Sequence, residues 1–145
     1  MKKLILASDH GGFELKQKIK AWLLESDQPI KDIGVKNGEP SDHPLLAQEA
    51  CQLVLENPAE EARAILVCGS GQGMCMTANR HKGIRAILAG SVEIAKLGRE
   101  HNNANVLCLG GRFIDFDNAK QIITAFLNTE FLGGKYQTRI EMLDA

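Results

Sequence analysis

The residues best equipped for chemistry in this 145-residue chain stand at short glycine turns. Cys68 directly precedes Gly69-Ser70-Gly71-Gln72-Gly73, where three glycines in five residues close an apolar run. Glycines relieve the Cβ limits on backbone conformation, so several N–H groups can converge on one point. With a helix following, such a turn makes an anion site. A dinucleotide fingerprint would need a small residue where Met74 stands, and an acidic residue at the tip of the next strand, where Ala89-Gly90 stand. The P-loop's Gly-Lys-Ser/Thr is missing too, which weakens any nucleotide reading. A tight strand–helix turn with no ligand is the plain alternative. Against it stands the thiol. Converging donors favour a thiolate over a thiol, and a thiolate beside preorganised amides suits proton abstraction α to a carbonyl. The base takes the carbon-bound proton while the amides hold the enolate oxygen.

Further candidates flank other strand-end turns. His10 follows Asp9 before Gly11-Gly12. His101 lies in Arg99-Glu100-His101-Asn102-Asn103, read as the connection between the fourth helix and the fifth strand. Arg112, Lys135 and Arg139 could bind a phosphate monoester, and fork geometry favours the two arginines. His43 and His81 read as surface residues. Cys51 and Cys108 fall inside a helix and a strand and read as small core residues, and Cys75 reads as packing. A redox pair of Cys68 and Cys75 lacks the C-x-x-C spacing, and the four scattered histidines give no zinc pattern. Free thiols, no metal and no cofactor are therefore expected.

Strands and helices in strict alternation must position these groups. Lys3 to Ala7, Pro29 to Ile33, Ala64 to Cys68, Ile84 to Ala89 and Asn105 to Leu109 read as strands. Leu15, Ile19, Trp22 and Leu23 recur at helical spacing. A second helix opens near Pro44, where the missing N–H costs nothing, and runs to about Glu56. A third continues from the glycine turn to Arg80. Ser91 is placed to cap the fourth. Ala119, Ile122, Ile123, Phe126 and Leu127 mark the fifth. A polar loop, Lys36 to Asp42, carries the Asn37-Gly38 turn signal. Strand runs without alternation imply a sheet buried on both faces. The expected fold is a doubly wound, Rossmann-like α/β domain, a five-stranded parallel sheet with helices on both faces. In such sheets ligands sit beyond the carboxyl ends of the strands. The whole chain, 1–145, reads as a single domain with a helical tail at about 135–145.

Composition excludes several partners. Seventeen Lys plus Arg against eighteen Asp plus Glu give a net charge of −1, so no broad basic field awaits nucleic acid. No apolar run approaches a membrane span, and Leu4 to Ala7 is too short for a signal-peptide core. A cytoplasmic protein is expected.

Five motifs in order carry a family resemblance. They are Asp9-His10-Gly11-Gly12, Cys68 to Gly73, Ala78-Asn79-Arg80, Arg99 to Asn103, and Gly110-Gly111-Arg112. Together they resemble the ribose-5-phosphate isomerase type B family, which includes the galactose-6-phosphate isomerase subunits. The resemblance implies a metal-free aldose–ketose isomerase of the pentose phosphate pathway, acting through a cis-enediolate. Cys68 would be the base between C2 and C1, and Ser70 would assist proton transfer between the oxygens. The amides of Gly69, Gly71 and Gly73 would hold the enediolate. His101, with Asp9, would open the sugar ring, and Asn102 would contact hydroxyls. His10, Arg112 and Arg139 would bind phosphate, with Lys135 beside them. It also implies a homodimer or homotetramer with sites at the subunit interface, the tail packing on a neighbouring copy. The chain departs from the pattern at Met74, where one branch has a glutamate base. Lys135 and Tyr136 stand where arginine and histidine are common, and His43 where a tyrosine is common. A hexose 6-phosphate (allose or galactose) as substrate, and a non-catalytic nucleotide-binding module, remain the alternatives.

Overall fold

A computed structural model describes residues 2–34 and 42–145. Most of the loop from Lys36 to Asp42, with its Asn37-Gly38 turn, lies outside the described residues. Five strands form one parallel sheet: β1 (Leu4–Ser8), β2 (Ile30–Asp32), β3 (Arg63–Cys68), β4 (Ala86–Leu88) and β5 (Val106–Gly110). Their order is β2-β1-β3-β5-β4. The chain thus moves outward from β1 to β2, returns to the other side of β1 for β3, and so creates the switch point between β1 and β3. The three central strands are buried at every position, whereas the edge strands β2 and β4 are partly open. That contrast explains why the central runs read cleanly and the edge runs came out shorter than their apolar stretches suggested.

The helices are α1 (Phe13–Glu25), α2 (His43–Glu56), α3 (Gln72–Ala78), α4 (Val92–Asn102), α5 (Phe116–Asn128) and α6 (Lys135–Glu141). Alternate residues of each central strand serve opposite layers. Leu4, Leu6, Ile65, Val67, Leu107 and Leu109 pack with Ile19 and Leu23 of α1, Ala95 of α4, and Ile122 and Phe126 of α5. Ile5, Ala7, Leu66, Cys68 and Cys108 pack with Ala47, Cys51 and Val54 of α2 and with Met74 and Ala78 of α3. Cys51 and Cys108 are core residues, as their positions implied. Burial of roughly 25 cal/mol per Å² of apolar surface in both layers makes the sheet the rigid part of the molecule.

Local signals set the helix boundaries. The Ser91 hydroxyl accepts from the Ile94 N–H at 3.2 Å and caps α4, and Pro44 sits in the first turn of α2. α3 stops at Ala78, two residues before Arg80. There Asn79 turns its amide onto Ala86 at both N–H and C=O, each at 2.8 Å, and ties the helix end to β4. The tail helix ends at Glu141, short of Ala145, and packs on α4 of its own chain.

Candidate active site

Because β1, β3 and β5 are neighbours, the turns that follow them meet at the carboxyl edge of the sheet. The Gly111 N–H donates to the Cys68 carbonyl at 2.7 Å, and the Arg112 N–H to the Gly69 carbonyl at 3.0 Å. The Asp9 N–H donates to the Val67 carbonyl at 3.3 Å, while Asp9 Oδ1 accepts from the Gly12 N–H at 3.1 Å and fixes the turn that carries His10. Glycine is required where these backbones touch. A Cβ on Gly12 would stand 2.2 Å from the Val67 carbonyl oxygen. Gly71 has φ +82°, and a Cβ there would meet Leu88 Cδ1 at 2.5 Å. The cradle is thus built from the packing of three turns on one another.

Side chains surround it. Cys68 is 5 % exposed and belongs to the α2–α3 layer. Asp9 is buried, His10 and Arg112 are exposed, and Ser70 is half-buried, its Oγ accepting from the Gln72 N–H at 3.4 Å. Arg112 lies over Gly69: a Cβ on that glycine would stand 3.3 Å from Nε. Glycine at position 69 thus leaves room for the fork above the turn.

Two residues at this edge were not singled out as site residues from sequence. His43, read as a surface residue, stands at the start of α2 with its ring over Gly73, within 2.6 Å of where a Cβ would be. Its Nδ1 is sealed and unpartnered, and so is Ser8 Oγ at the end of β1. The signal for His43 was positional. Helices of a parallel sheet run back against the strands, so the first residue of α2 returns to the carboxyl edge. Packing masked it because a lone histidine before Pro44 looks like any helix start.

The remaining candidates lie elsewhere. His101 and Asn102 belong to the last turn of α4, not to the connection after it. The helix runs on because Asn103 takes the left-handed cap at φ 47° and Arg99 Nη1 binds both Asn103 Oδ1 and the Ala104 carbonyl, at 2.8 and 2.7 Å. The cap is asparagine rather than the commoner glycine, which makes it a weaker boundary signal in sequence. α4 ends just before β5 begins, which puts His101 at the amino edge of the sheet, opposite Cys68. There the Tyr136 ring of α6 stacks on His101 with centroids 4.4 Å apart and planes 12° apart. Lys135 Nζ and Arg139 Cζ lie 5.2 and 5.8 Å from the same Tyr136 ring. Within one chain the candidates therefore form two groups. One gathers Asp9, His10, Cys68 to Gly73 and Arg112. The other gathers His101, Asn102, Lys135 and Arg139.

Thiol environments differ sharply. Burial pushes the Cys51 thiol up to about 12. Cys75, half-buried, accepts a hydrogen bond from Cys108 that lowers its pKa, while that bond and burial raise Cys108. Among the described residues, no group of three or more His, Cys, Asp or Glu side chains is placed to hold a metal ion.

Fold and site together define a doubly wound α/β domain with a thiol and an amide cradle at its carboxyl edge. The chain belongs to the Ribose/Galactose Isomerase family, whose model matches residues 4–143. It is 37 % identical to ribose-5-phosphate isomerase B of Escherichia coli over 145 residues, which cover 100 % of this chain and 96 % of that protein. A crystal structure of a ribose 5-phosphate isomerase from Thermotoga maritima superimposes with a TM-score of 0.95 at 43 % identity, covering 99 % of this chain and 97 % of that one. Ribose-5-phosphate isomerase B from Mycoplasma genitalium, solved with bound ribulose-5-phosphate, gives 0.92 at 37 % identity over 97 % and 93 % of the two chains.

Proposed function

We propose that the protein is a sugar-phosphate aldose–ketose isomerase that interconverts ribose 5-phosphate and ribulose 5-phosphate through a cis-enediolate. The observation that carries this reading is the convergence of Cys68 and three glycine turns on one edge, in a chain of this family. Cys68 takes the proton from C2 and returns it to C1. The amides of Gly69, Gly71 and Gly73 stabilise the oxyanion that develops meanwhile, and preorganised donors of this kind contribute about 3–4 kcal/mol each to such steps. Ser70 passes a proton between the two oxygens. His10 and Arg112 hold the phosphate at the far end of the open chain.

Ring opening needs the second group. His101 works with Asp9, Asn102 contacts hydroxyls, and Arg139 with Lys135 completes the phosphate grip. Since these stand at the opposite edge of the same chain, a second copy supplies them, in a homodimer or a tetramer built from it. The exposed Leu45, Met76, Leu88 and Phe113 provide apolar surface for that contact. The same argument seats the tail helix against a neighbouring copy. The domain as a whole, with no helix among the described residues long and apolar enough to cross a membrane, acts in the cytoplasm.

A coupled assay on purified protein with ribose, allose and galactose phosphates, run with and without EDTA, tests the reading. Turnover of the pentose phosphate, unchanged by EDTA, is expected. Faster turnover of a hexose 6-phosphate would reassign the substrate, and silence on all three would overturn the isomerase reading.

A further inference from the structure

A polar cavity opens at the amino edge of the sheet, where β3 and β5 begin and where α4 and α5 end. Its volume is about 400 Å³, within the range of small-molecule sites. Three guanidinium groups line it, and two of them are nearly sealed: Arg63 is 6 % exposed and Arg99 4 %. Arg85, half-buried, is the third.

Part of their bonding is structural. Arg63 Nη1 donates to the Phe126 carbonyl at 2.6 Å, and Arg99 Nε to the Thr129 carbonyl at 3.1 Å, which satisfies carbonyls at the end of α5. Arg85 Nε donates to the Asn103 carbonyl at 3.0 Å. Helix capping explains those nitrogens and leaves others unexplained. Among the described residues, Nη2 of all three arginines has no hydrogen-bond partner. The sealed unpartnered side-chain atoms among the described residues are Ser8 Oγ and His43 Nδ1, so the three Nη2 groups remain accessible. No carboxylate lies within 4.0 Å of any of the three among the described residues.

The charge balance agrees. Lys2, Arg63, Arg85 and Arg99 line the cavity with Glu61 and Glu130; Lys2 pairs with Glu61 at 3.7 Å, which leaves three guanidinium groups against one carboxylate. Burial, with Arg99 nearby, lowers Arg63 to about 10. Carbonyl bonds offset only part of the cost of burying a guanidinium charge, and a bound dianion would relieve more of it. Three forks arriving from different elements suit a tetrahedral oxyanion better than a planar carboxylate, because each can take its own oxygen.

We infer that this cavity is a second oxyanion site, which takes phosphate, free or as a small monoester, at the edge of the sheet opposite Cys68. It needs nothing from the isomerase reading. Calorimetric titration with inorganic phosphate, and separately with glycerol 3-phosphate, tests it in wild type, Arg85→Gln and Arg112→Gln. Two phosphates per chain are expected in wild type. Arg85→Gln weakens one of them by about tenfold or more, and Arg112→Gln weakens the other. Tighter binding of glycerol 3-phosphate at the Arg85-dependent site identifies a monoester as its ligand, and equal binding identifies the free ion. Arg85→Gln with both sites intact, or a wild type with only an Arg112-dependent site, would overturn the inference. Loss of the Arg85 site with no effect of Arg112→Gln would keep it while removing the phosphate role given to Arg112. Should Arg85→Gln not fold, phenylglyoxal labelling of the wild type serves instead. Phosphate is expected to slow modification of Arg63, Arg85 and Arg99, and absence of protection at all three would contradict the site.

Discussion

At the scale of residues, Cys68 is distinguished from the other thiols by where its strand stops. Cys51 and Cys108 are sealed in the α2–α3 layer, and their thiols are held protonated. Cys68 ends β3 at the edge where the glycine turns meet. Cys68→Ala should lower turnover by about a thousandfold or more while thermal stability and substrate binding stay close to wild type, as steady-state kinetics and calorimetry would show. Wild-type turnover in that variant would remove Cys68 as the base. Cys75 is the thiol of the remaining three expected to react first. Its pKa lies below the ordinary value and that of Cys51 near 12, so raising pH ionises Cys75 first and leaves Cys51 neutral beyond pH 9. Iodoacetamide at pH 8 should therefore label Cys75 well before Cys51 and Cys108, read by peptide mass spectrometry. Equal labelling of Cys51 would show that the layer opens. Sequence alone could separate these cysteines because strand ends and strand interiors look different. His43 could not be read that way, since its partner Gly73 is thirty residues away.

At the scale of elements, the cradle depends on how closely the turn after β1 approaches β3. Gly12→Ala would drive a Cβ to within 2.2 Å of the Val67 carbonyl oxygen, and backbone cannot step aside as a flexible side chain would. Destabilisation of about 3 kcal/mol or more is expected by urea melts. Gly90→Ala, which meets nothing within 4 Å, should stay within about 0.5 kcal/mol of wild type. Similar losses in both variants would mean that the three turns are not packed as described. The central strands and their turns were legible because continuous apolar runs give way to glycine, directly for β3 and β5 and after Ser8-Asp9-His10 for β1. The α4 terminus was less legible, because an asparagine cap at Asn103 and short-range bonds from the Arg99 side chain stop that helix where no glycine or proline marks the end. The difference moves His101 from a loop into the last helical turn and leaves it at the amino edge, where the α4–β5 connection also lies.

At the scale of the whole molecule, the sheet separates the two halves of the candidate site. Cys68 ends β3 at its carboxyl edge with Arg112 beyond it, and His101 with Arg139 stands near its amino edge. Motif order along the chain implied all these residues but did not by itself say on which edge each would fall, since that depends on whether a residue follows a strand or precedes one. If two copies complete each site, the halves can be damaged in different chains. Cys68→Ala and His101→Asn, each inactive alone, should regain activity when refolded together. Random pairing in a symmetric dimer would give about a quarter of the wild-type rate, because half of the dimers are mixed and each carries one intact site of two. Recovery near that level would establish that the two residues act from different copies. Mixed dimers that remain as inactive as their parents would contradict the shared site, and with it the account of how this fold performs the isomerisation.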